Sequence, residues 1–310
     1  MSAHPQVMIR EVALRDGLQS EANFVPTDKK LELIAALAQA GVRHLETTSF
    51  VSARAIPQLA DAGELMAKAA RGGLCHEVMV PNRKGARAAL DADADRLIVF
   101  VSASEAHNKA NVRRSVTKSL DDLEQVFELA GNQGVPVAAA IAVAFGCPYQ
   151  GRVARGDVLH IARRLANAGA DRITLADTTG MANPLQISEM IAFFRDHLPD
   201  TELCLHLHNN RGIAMANLYA GWRAGIRIFD TSLGGIGGCP NVPHAAGNLA
   251  TADVAFLFEA MGVATGLDLD RLIRAAKMLE ALLGRTLPGQ VMKSGPAAFH
   301  PEPSGPHWPA

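Results

Sequence analysis

The sequence has little of what would mark it as a secreted or membrane protein. Only four of its 310 residues are cysteines, Cys75, Cys147, Cys204 and Cys239, and no two of them form a CxxC pair. This excludes a disulfide framework, so we expect reduced thiols in a cytoplasmic compartment. The longest apolar run, residues 137–145, is far shorter than the roughly 20 residues that a membrane helix requires.

The sequence also lacks an excess of charge of one sign. Its 30 Lys and Arg residues nearly balance 31 Asp and Glu residues, and the net charge is −1. Without a basic run, the chain has none of the charge surplus that drives binding to nucleic acids or anionic membranes, so we expect neither partner. Residues 1–6 lack the basic-then-apolar pattern of a signal peptide. An apolar content of 48% is enough for a full core, and 20% charged residues is too low for a disordered chain.

Short β-branched runs alternate with longer helical patterns along most of the chain. Apolar residues spaced three and four apart predict helices at Thr27–Ala40, Ser119–Ala130 and Asp157–Ala168, and a further helix beginning at Asn183-Pro184. Thr27 is the expected cap of the first helix. The predicted strands are Val7–Val12, Val42–Thr48, His76–Val80, Arg96–Val101, Pro136–Val143, Arg172–Ala176, Leu203–His208 and Ile226–Ser232.

Eight such units in succession predict an α/β fold of the (β/α)8 TIM-barrel type. An open doubly wound sheet is the alternative, but no break in the series favours it. Helical patterns at Thr251–Met261 and Leu269–Leu283 predict extra C-terminal helices. We therefore expect one catalytic domain over residues 1–285, followed by a proline-rich tail, 286–310, that is extended or disordered unless it docks.

Polar or reactive residues follow every predicted strand, and the active sites of such barrels lie at these strand ends. His206 and His208 are two residues apart on a strand, so their imidazoles face the same side and can share a metal, although a plain pair of core histidines is the alternative. Asp16 and Asn248 offer oxygen ligands. Two nitrogens and two oxygens suit octahedral Mg²⁺ or Mn²⁺ better than structural zinc, for which Cys239 has no second cysteine at the usual spacing.

Four further residues are candidates for catalysis. Arg15 can offset charge that develops on a substrate oxygen, or it can simply pair with a neighbouring acid. Glu46 lies in an apolar strand, where a charge is unfavourable unless paired, so a pair with Arg15 is favoured over a direct role. Asp177 either acts on the substrate or caps the following helix. Cys239 lies in the glycine-rich stretch 234–240, where a mobile loop can present its thiol as a proton donor or nucleophile.

Several motifs together resemble the 3-hydroxy-3-methylglutaryl-CoA lyase family over about residues 7–285. The matching stretches are Leu14-Arg15-Asp16-Gly17-Leu18-Gln19 with Glu21, Glu46-Thr47-Thr48-Ser49-Phe50-Val51-Ser52, Gly146-Cys147-Pro148-Tyr149 with Gly151, and Gly234-Gly235-Ile236-Gly237-Gly238-Cys239-Pro240 with Gly247-Asn248. The resemblance implies a TIM-barrel lyase that depends on Mg²⁺ or Mn²⁺. Such enzymes cleave 3-hydroxy-3-methylglutaryl-CoA to acetyl-CoA and acetoacetate in a retro-Claisen reaction.

The resemblance also implies roles for individual residues. Asp16, His206, His208 and Asn248 match the metal ligands of the family, and His206 is in addition our first candidate for the base that takes the hydroxyl proton. The implied partner is an acyl-CoA. After the fourth predicted strand lie three basic residues that either meet the phosphates of CoA or form a solvated face: Lys109, Arg113 and Arg114.

Four more positions match residues of the family that act in the reaction. Arg15 matches the arginine that stabilises the enolate of the departing acetyl-CoA. Cys239 matches the mobile-loop cysteine that protonates this carbanion. Glu46 and Asp177 match acidic residues needed for activity, and Asp177 is our second candidate for the base.

The chain departs from the family at several positions, so the resemblance does not determine which acyl group the CoA substrate carries. After His208 it continues Asn209-Asn210-Arg211, where Asp-Thr or Asn-Thr is familiar, and its lid continues Pro240-Asn241-Val242 after Cys239 in place of Pro-Tyr-Ala. Another branched 3-hydroxyacyl-CoA, citramalyl-like or longer-chain, is therefore an alternative substrate. A condensing transferase of the isopropylmalate-synthase type and an inactive binding barrel are less favoured, since no long region follows Leu283 and the site residues are intact. We expect a homodimer or larger homo-oligomer.

Overall fold

The computed structural model describes residues 5–238 and 247–296. In these two ranges, eight parallel strands close into a barrel in chain order. Closure is seen where β1 pairs with β8 in parallel, from Met8 opposite Ile228 to Glu11 opposite Thr231. The TIM barrel is confirmed and the open sheet was the wrong alternative. The strands are β1 (Met8–Glu11), β2 (His44–Ser49), β3 (Cys75–Met79), β4 (Arg96–Ser102), β5 (Val137–Ala142), β6 (Ala170–Asp177), β7 (Glu202–Leu207) and β8 (Ile228–Thr231).

Helices surround the barrel and lie close to the predicted positions. The helix predicted to begin at Asn183-Pro184 is α7, and Asn183 is its cap, because its Oδ1 accepts the Gln186 N–H at 3.0 Å. The predicted cap of α1 was wrong: Pro26 occupies the cap position, and the Thr27 hydroxyl donates to Asp61 instead, at 2.9 Å. The helices are α1 (Thr27–Gln39), α2 (Ala62–Lys68), α3 (Arg83–Asp91), α4 (Glu105–Val112), α5 (Val116–Gly131), α6 (Arg155–Asn167), α7 (Pro184–His197), α8 (Ala214–Arg223), α9 (Thr251–Ala260), α10 (Leu269–Leu283) and α11 (Val291–Ser294).

The main apolar core lies between the strands and the surrounding helices. On β5, Val137, Ala139 and Ile141 belong to this core together with Leu123 of α5 and Ile161 of α6. Because side chains alternate along a strand, the intervening residues of β5 face the barrel interior. The same alternation places every second residue of β3, β4, β6 and β7 inside the barrel. Alternate residues of each strand therefore line the barrel interior, and the residues between them pack against the surrounding helices.

Buried ion pairs hold part of the barrel interior together. Arg10 bonds Asp230 through Nε at 2.7 Å and Nη2 at 2.5 Å, and Glu77 through Nη1 at 3.0 Å. Arg172 Nη2 donates to the same Glu77 oxygen at 2.6 Å. Burial alone would raise the pKa of Glu77, but Arg10 and Arg172 hold this pKa well below its ordinary value. The carboxylate is therefore charged, and the network is stable only while each charge keeps its partner.

The change Glu77→Gln is expected to lower the free energy of unfolding by about 3–5 kcal/mol, since it leaves the buried Arg172 guanidinium without a carboxylate. Urea denaturation followed by circular dichroism measures this difference. The matched control is Glu64→Gln, which breaks the exposed pair of Glu64 with Lys68 on α2 and is expected to change stability by less than ~1 kcal/mol. Equal changes in the free energy of unfolding for the two variants would contradict a stabilising role of the buried ion pairs.

The first part of the predicted tail packs against the barrel. Leu287 is fully buried and Met292 is 2% exposed. The N–H groups of Gln290 and Val291 donate to the Asp253 carboxylate of α9, at 2.9 Å and 2.7 Å for the shorter contacts. Residues 297–310 lie outside the described residues, and the domain boundary at 285 stays a prediction. None of the helices in residues 5–238 and 247–296 combines the length and the apolar character of a membrane-spanning segment.

Candidate active site

The four residues predicted to bind a metal meet at the carboxyl ends of the strands. Asp16, His206 and His208 each offer one ligand atom, and these atoms lie within 4.8 Å of one another. The three residues are between 3 and 7% exposed. Asn248 joins them, since its Nδ2 donates to Asp16 Oδ2 at 2.7 Å and its backbone forms an isolated bridge with His208. We call these four residues the ligand cluster.

A single π-helical turn, Ala13–Gly17, presents Arg15 and Asp16 directly after β1. The N–H groups of Arg15, Asp16 and Gly17 all point at the Val12 carbonyl, at 2.8–3.2 Å. Such turns are uncommon and occur mostly at functional sites. The tight turn ends the strand and directs two successive charged side chains to the barrel mouth.

Glu11 ties this turn to the loop after β8. Its Oε1 accepts the N–H of Ala13 at 2.9 Å and that of Leu233 at 2.8 Å, and its Oε2 accepts the Thr251 hydroxyl at 2.6 Å. Burial raises the pKa of Glu11 to about 7, against the opposing effect of these hydrogen bonds. Our sequence analysis missed Glu11, although an acid in an apolar strand was the signal that identified Glu46.

The two histidines of the ligand cluster face each other through their Nε2 atoms, which are 2.9 Å apart. His206 Nδ1 lies 3.1 Å from Asp230 Oδ2. Burial would lower the pKa of His206, but the hydrogen bond to Asp230 and the charge of Asp16 raise it. When Nδ1 donates to Asp230, Nε2 carries the lone pair toward the cluster, as in metal-binding histidines with an acidic partner. Sequence analysis missed Asp230, which stands in an apolar strand like Glu46.

Asp16 is held as a carboxylate by the groups around it. Its Oδ1 accepts Arg15 Nη1 at 2.8 Å and Gln19 Nε2 at 2.9 Å, and its Oδ2 lies 3.7 Å from His208 Nε2. Burial would raise the pKa of Asp16, but Arg15 and then the two histidines hold this pKa far below its ordinary value. The cluster therefore contains one permanent negative charge on a hard oxygen donor.

The donor set fits a divalent cation. Asn248 Nδ2 donates both to Asp16 Oδ2 and to the Ile236 carbonyl, at 3.1 Å for the latter, which fixes the orientation of the amide. Its Oδ1 is then buried without a hydrogen-bond partner among the described residues. A Cβ at Gly237, where φ is +112°, would lie 2.5 Å from Asn248 Nδ2 and 3.1 Å from Asp16 Oδ2. The glycine loop thus brings bare backbone against the Asp16 carboxylate and the Asn248 amide. Together with the two imidazoles, this carboxylate and the amide oxygen left without a partner among the described residues form a donor set that suits a divalent cation.

Arg15 and Glu46 pair as expected. Arg15 Nε donates to Glu46 Oε1 at 2.7 Å, while Nη1 donates to Asp16. Glu46 is fully buried, and in the described part of the chain its Oε2 has no hydrogen-bond partner. Arg15 is therefore fixed between two carboxylates at the edge of the ligand cluster.

Asp177 lies beside the ligand cluster and supports a loop. Its two oxygens accept the N–H groups of Met181 at 2.8 Å and Ala182 at 3.1 Å. These contacts match the capping alternative, although the cap residue of α7 itself is Asn183. Burial raises the pKa of Asp177, and the two backbone hydrogen bonds oppose this shift. The backbone N–H of His208 lies 3.4 Å from the Asp177 carbonyl, so the two loops are in contact.

The remaining predicted residues, Cys239 and the basic residues after the fourth strand, either lie outside the described residues or are exposed on the surface. Cys239 is outside them, so its role as a proton donor stays a prediction. Lys109 pairs with Glu105 at 3.8 Å and Arg114 pairs with Asp122 at 2.7 Å. Whether these two residues and Arg113 meet the phosphates of CoA stays a prediction.

Comparison with known proteins gives consistent matches. A family model described as HMGL-like matches residues 6–279. The (R)-citramalyl-CoA lyase of Chloroflexus aurantiacus is 40% identical over 94% of this chain and 95% of its own length. The hydroxymethylglutaryl-CoA lyase of Bacillus subtilis is 37% identical over 93% of this chain and 98% of its own length. A solved structure of an HMG-CoA lyase from Acinetobacter baumannii, in complex with coenzyme A and 3-methylmalate, superimposes with a TM-score of 0.91 at 39% identity, covering 98% of this chain and 100% of that one.

Proposed function

This chain belongs to the HMGL-like family, and we propose that it cleaves 3-hydroxy-3-methylglutaryl-CoA to acetyl-CoA and acetoacetate. The chain is an acyl-CoA lyase, since relatives that are similar over nearly its whole length are lyases of acyl-CoA substrates. The observation that carries the proposal is the ligand cluster beside Arg15 at the open end of the barrel. A homo-oligomer and a location in the cytoplasm stay predictions.

We propose that the ligand cluster binds Mg²⁺ or Mn²⁺ through Asp16, His206, His208 and Asn248. When bound, such a cation acts as a Lewis acid that lowers the pKa of the tertiary hydroxyl of the substrate. The unpaired Oδ1 of Asn248 and the permanent charge of Asp16 support this assignment. Substrate binding at the cluster would hold the hydroxyl-bearing carbon at one place, which is the first requirement for breaking its bond to the neighbouring carbon.

The cleavage removes the hydroxyl proton, and the pair of electrons in the carbon–carbon bond becomes the enolate of the acetyl thioester. Nε and Nη1 of Arg15 are engaged, which leaves Nη2 to donate to the enolate oxygen. The enolate carbon then takes a proton, for which Cys239 is the predicted donor.

The two predicted bases, His206 and Asp177, differ from Glu46 in the acceptor atoms that they have free. His206 has Nδ1 on Asp230, and its Nε2 is needed in the ligand cluster. Both oxygens of Asp177 accept backbone N–H groups. Glu46 keeps an Oε2 that has no hydrogen-bond partner within residues 5–238 and 247–296. Of these three, Glu46 has the unshared acceptor atom that a base needs, but this atom has no exposed surface, so the identity of the base stays a prediction.

A second candidate substrate is a citramalyl-like acyl-CoA. It is favoured by the 40% identity to the Chloroflexus aurantiacus citramalyl-CoA lyase. The same bond cleavage of such a substrate releases a 2-oxo acid in place of acetoacetate. The two candidates are therefore distinguished by the second product.

The test is a cleavage assay with purified protein, both thioesters and either Mg²⁺ or Mn²⁺. We expect release of acetyl-CoA, and removal of the metal with a chelator is expected to lower the rate by at least about a hundredfold, because several kcal/mol of charge stabilisation is lost. Adding back Mn²⁺ or Mg²⁺ restores it. The second product, acetoacetate or a 2-oxo acid, identifies the substrate. No cleavage of either thioester with either metal would refute the proposed function, and condensation in place of cleavage would indicate the transferase.

A further inference from the structure

The inward-facing residues of β5 are unusually small for a barrel interior. In barrels of this type, bulky branched side chains normally fill the interior in layers. Here β5 reads Val-Ala-Ala-Ala-Ile-Ala, and its inward positions are Ala138, Ala140 and Ala142. Ala138 is buried, whereas Ala140 and Ala142 are partly exposed. The interior beside the upper part of β5 is therefore not filled by side chains and is open to the barrel mouth.

Two neighbouring strands continue this open region with apolar side chains. Phe100 on β4 is opposite Ala140 in the strand pairing, and it too is partly exposed. Met79 on β3 is the fourth partly exposed apolar residue, and it is opposite Ile98 of β4. We call Met79, Phe100, Ala140 and Ala142 the apolar compartment.

The strand pairing places Ala142 of the apolar compartment at the level of the ligand cluster, and Ala140 with Phe100 two residues nearer the amino ends of the strands. Ala140 is opposite Thr174 of β6, so Ala142 reaches the level of Ala176. Ala176 in turn is opposite His206 of β7. The cluster belongs to the side of the barrel formed by β1, β7 and β8, and the compartment to the side formed by β3, β4 and β5. A substrate carbon held at the cluster therefore has the compartment across the same opening.

We propose that the apolar compartment receives the alkyl substituent on the hydroxyl-bearing carbon of the acyl group, and that it admits substituents longer than methyl. The inference rests on the proposed lyase function and names its substrate class, 3-hydroxyacyl-CoAs with an extended alkyl branch. The reason is complementarity: the hydroxyl turns to the polar cluster, and the alkyl branch turns to the apolar wall. Each further buried methylene contributes about fourfold in kcat/KM, the equivalent of ~0.8 kcal/mol.

The experiment compares a series of 3-alkyl-3-hydroxyglutaryl-CoA thioesters whose branch grows from methyl to butyl. In the unaltered protein, kcat/KM is expected to rise about fourfold with each added methylene until the compartment is full. The change Ala140→Leu fills the compartment, so the ratio of kcat/KM for the butyl compound to that for the methyl compound is expected to fall at least about tenfold. Phe100→Ala enlarges it and is expected to raise the same ratio.

The matched control is Ala67→Leu, the same change at an exposed position of α2, and it leaves the ratio unchanged. Ala142→Val is a milder filling variant, which decides the question if Ala140→Leu does not fold. A ratio that is unaffected by filling, or a methyl compound preferred to all longer ones by the unaltered protein, would overturn the inference.

A binding readout separates this inference from the proposed function. The dissociation constants of the same thioesters are measured by calorimetry without added metal, where no cleavage is expected. Affinity that rises with branch length and is lost in Ala140→Leu supports the compartment even if cleavage fails in the metal-loaded protein, a result that would refute only the lyase function. If the metal-loaded protein cleaves the thioesters but affinity depends neither on branch length nor on the Ala140→Leu change, only the compartment is refuted.

Discussion

The change Asp16→Ala is expected to lower kcat/KM for thioester cleavage by at least about a thousandfold, equivalent to ~4 kcal/mol. Asp16 supplies the only carboxylate of the ligand cluster, and its Oδ2 also accepts the Asn248 amide. Its removal therefore takes away both a charged ligand and the contact that orients a second ligand. Steady-state kinetics with saturating Mn²⁺ measures the loss, and titration calorimetry measures the accompanying fall in Mn²⁺ affinity.

The control for this variant is Asp28→Ala, which removes an exposed acid from the first turn of α1. It is expected to leave both Mn²⁺ affinity and kcat/KM unchanged. Circular dichroism confirms that both variants are folded. If Asp16→Ala binds Mn²⁺ as tightly as the unaltered protein, the ligand cluster is not the metal site.

The change Arg15→Met is expected to lower kcat by about 10²–10³, which corresponds to ~2.7–4 kcal/mol, with a smaller effect on KM. The reason is that the guanidinium stabilises charge that develops only as the bond breaks. Arg15→Lys keeps the charge but offers a point donor that cannot hold Glu46 and Asp16 while reaching the substrate, so we expect only partial recovery.

A second variant distinguishes catalysis by Arg15 from simple neutralisation of its partner. If Arg15 serves only to pair the buried Glu46, then the double change Arg15→Met with Glu46→Gln removes the unpaired charge, and its kcat returns to that of Glu46→Gln alone. We expect no such recovery, because the enolate still lacks its donor. Full recovery in the double variant, measured against Glu46→Gln alone, would assign Arg15 a structural role.

Local patterns in the sequence predicted several helices and site residues correctly. The α10 pattern was predicted at Leu269–Leu283 and is observed with the same bounds, because an apolar stripe of helical period is written in consecutive residues. The spacing His206-x-His208 also predicted that both rings face the same side, because side chains two residues apart on a strand point in the same direction. Glu46 was identified as a paired acid because an isolated charge in an apolar strand is unfavourable.

By itself, the sequence determined the (β/α)8 fold and which side chains stand at the strand ends. Only the tertiary structure decided which of them meet. Asp16 and Asn248 are 232 positions apart, and Asp230 reaches His206 only across the pairing of β7 with β8. The tertiary structure also decided that the carboxylate of Asp177 accepts hydrogen bonds from the following loop. It likewise decided which side chains lie opposite the alanines of β5, because this depends on the strand pairing in the closed barrel. Periodicity is local along the chain, whereas contact across a closed barrel depends on strand register.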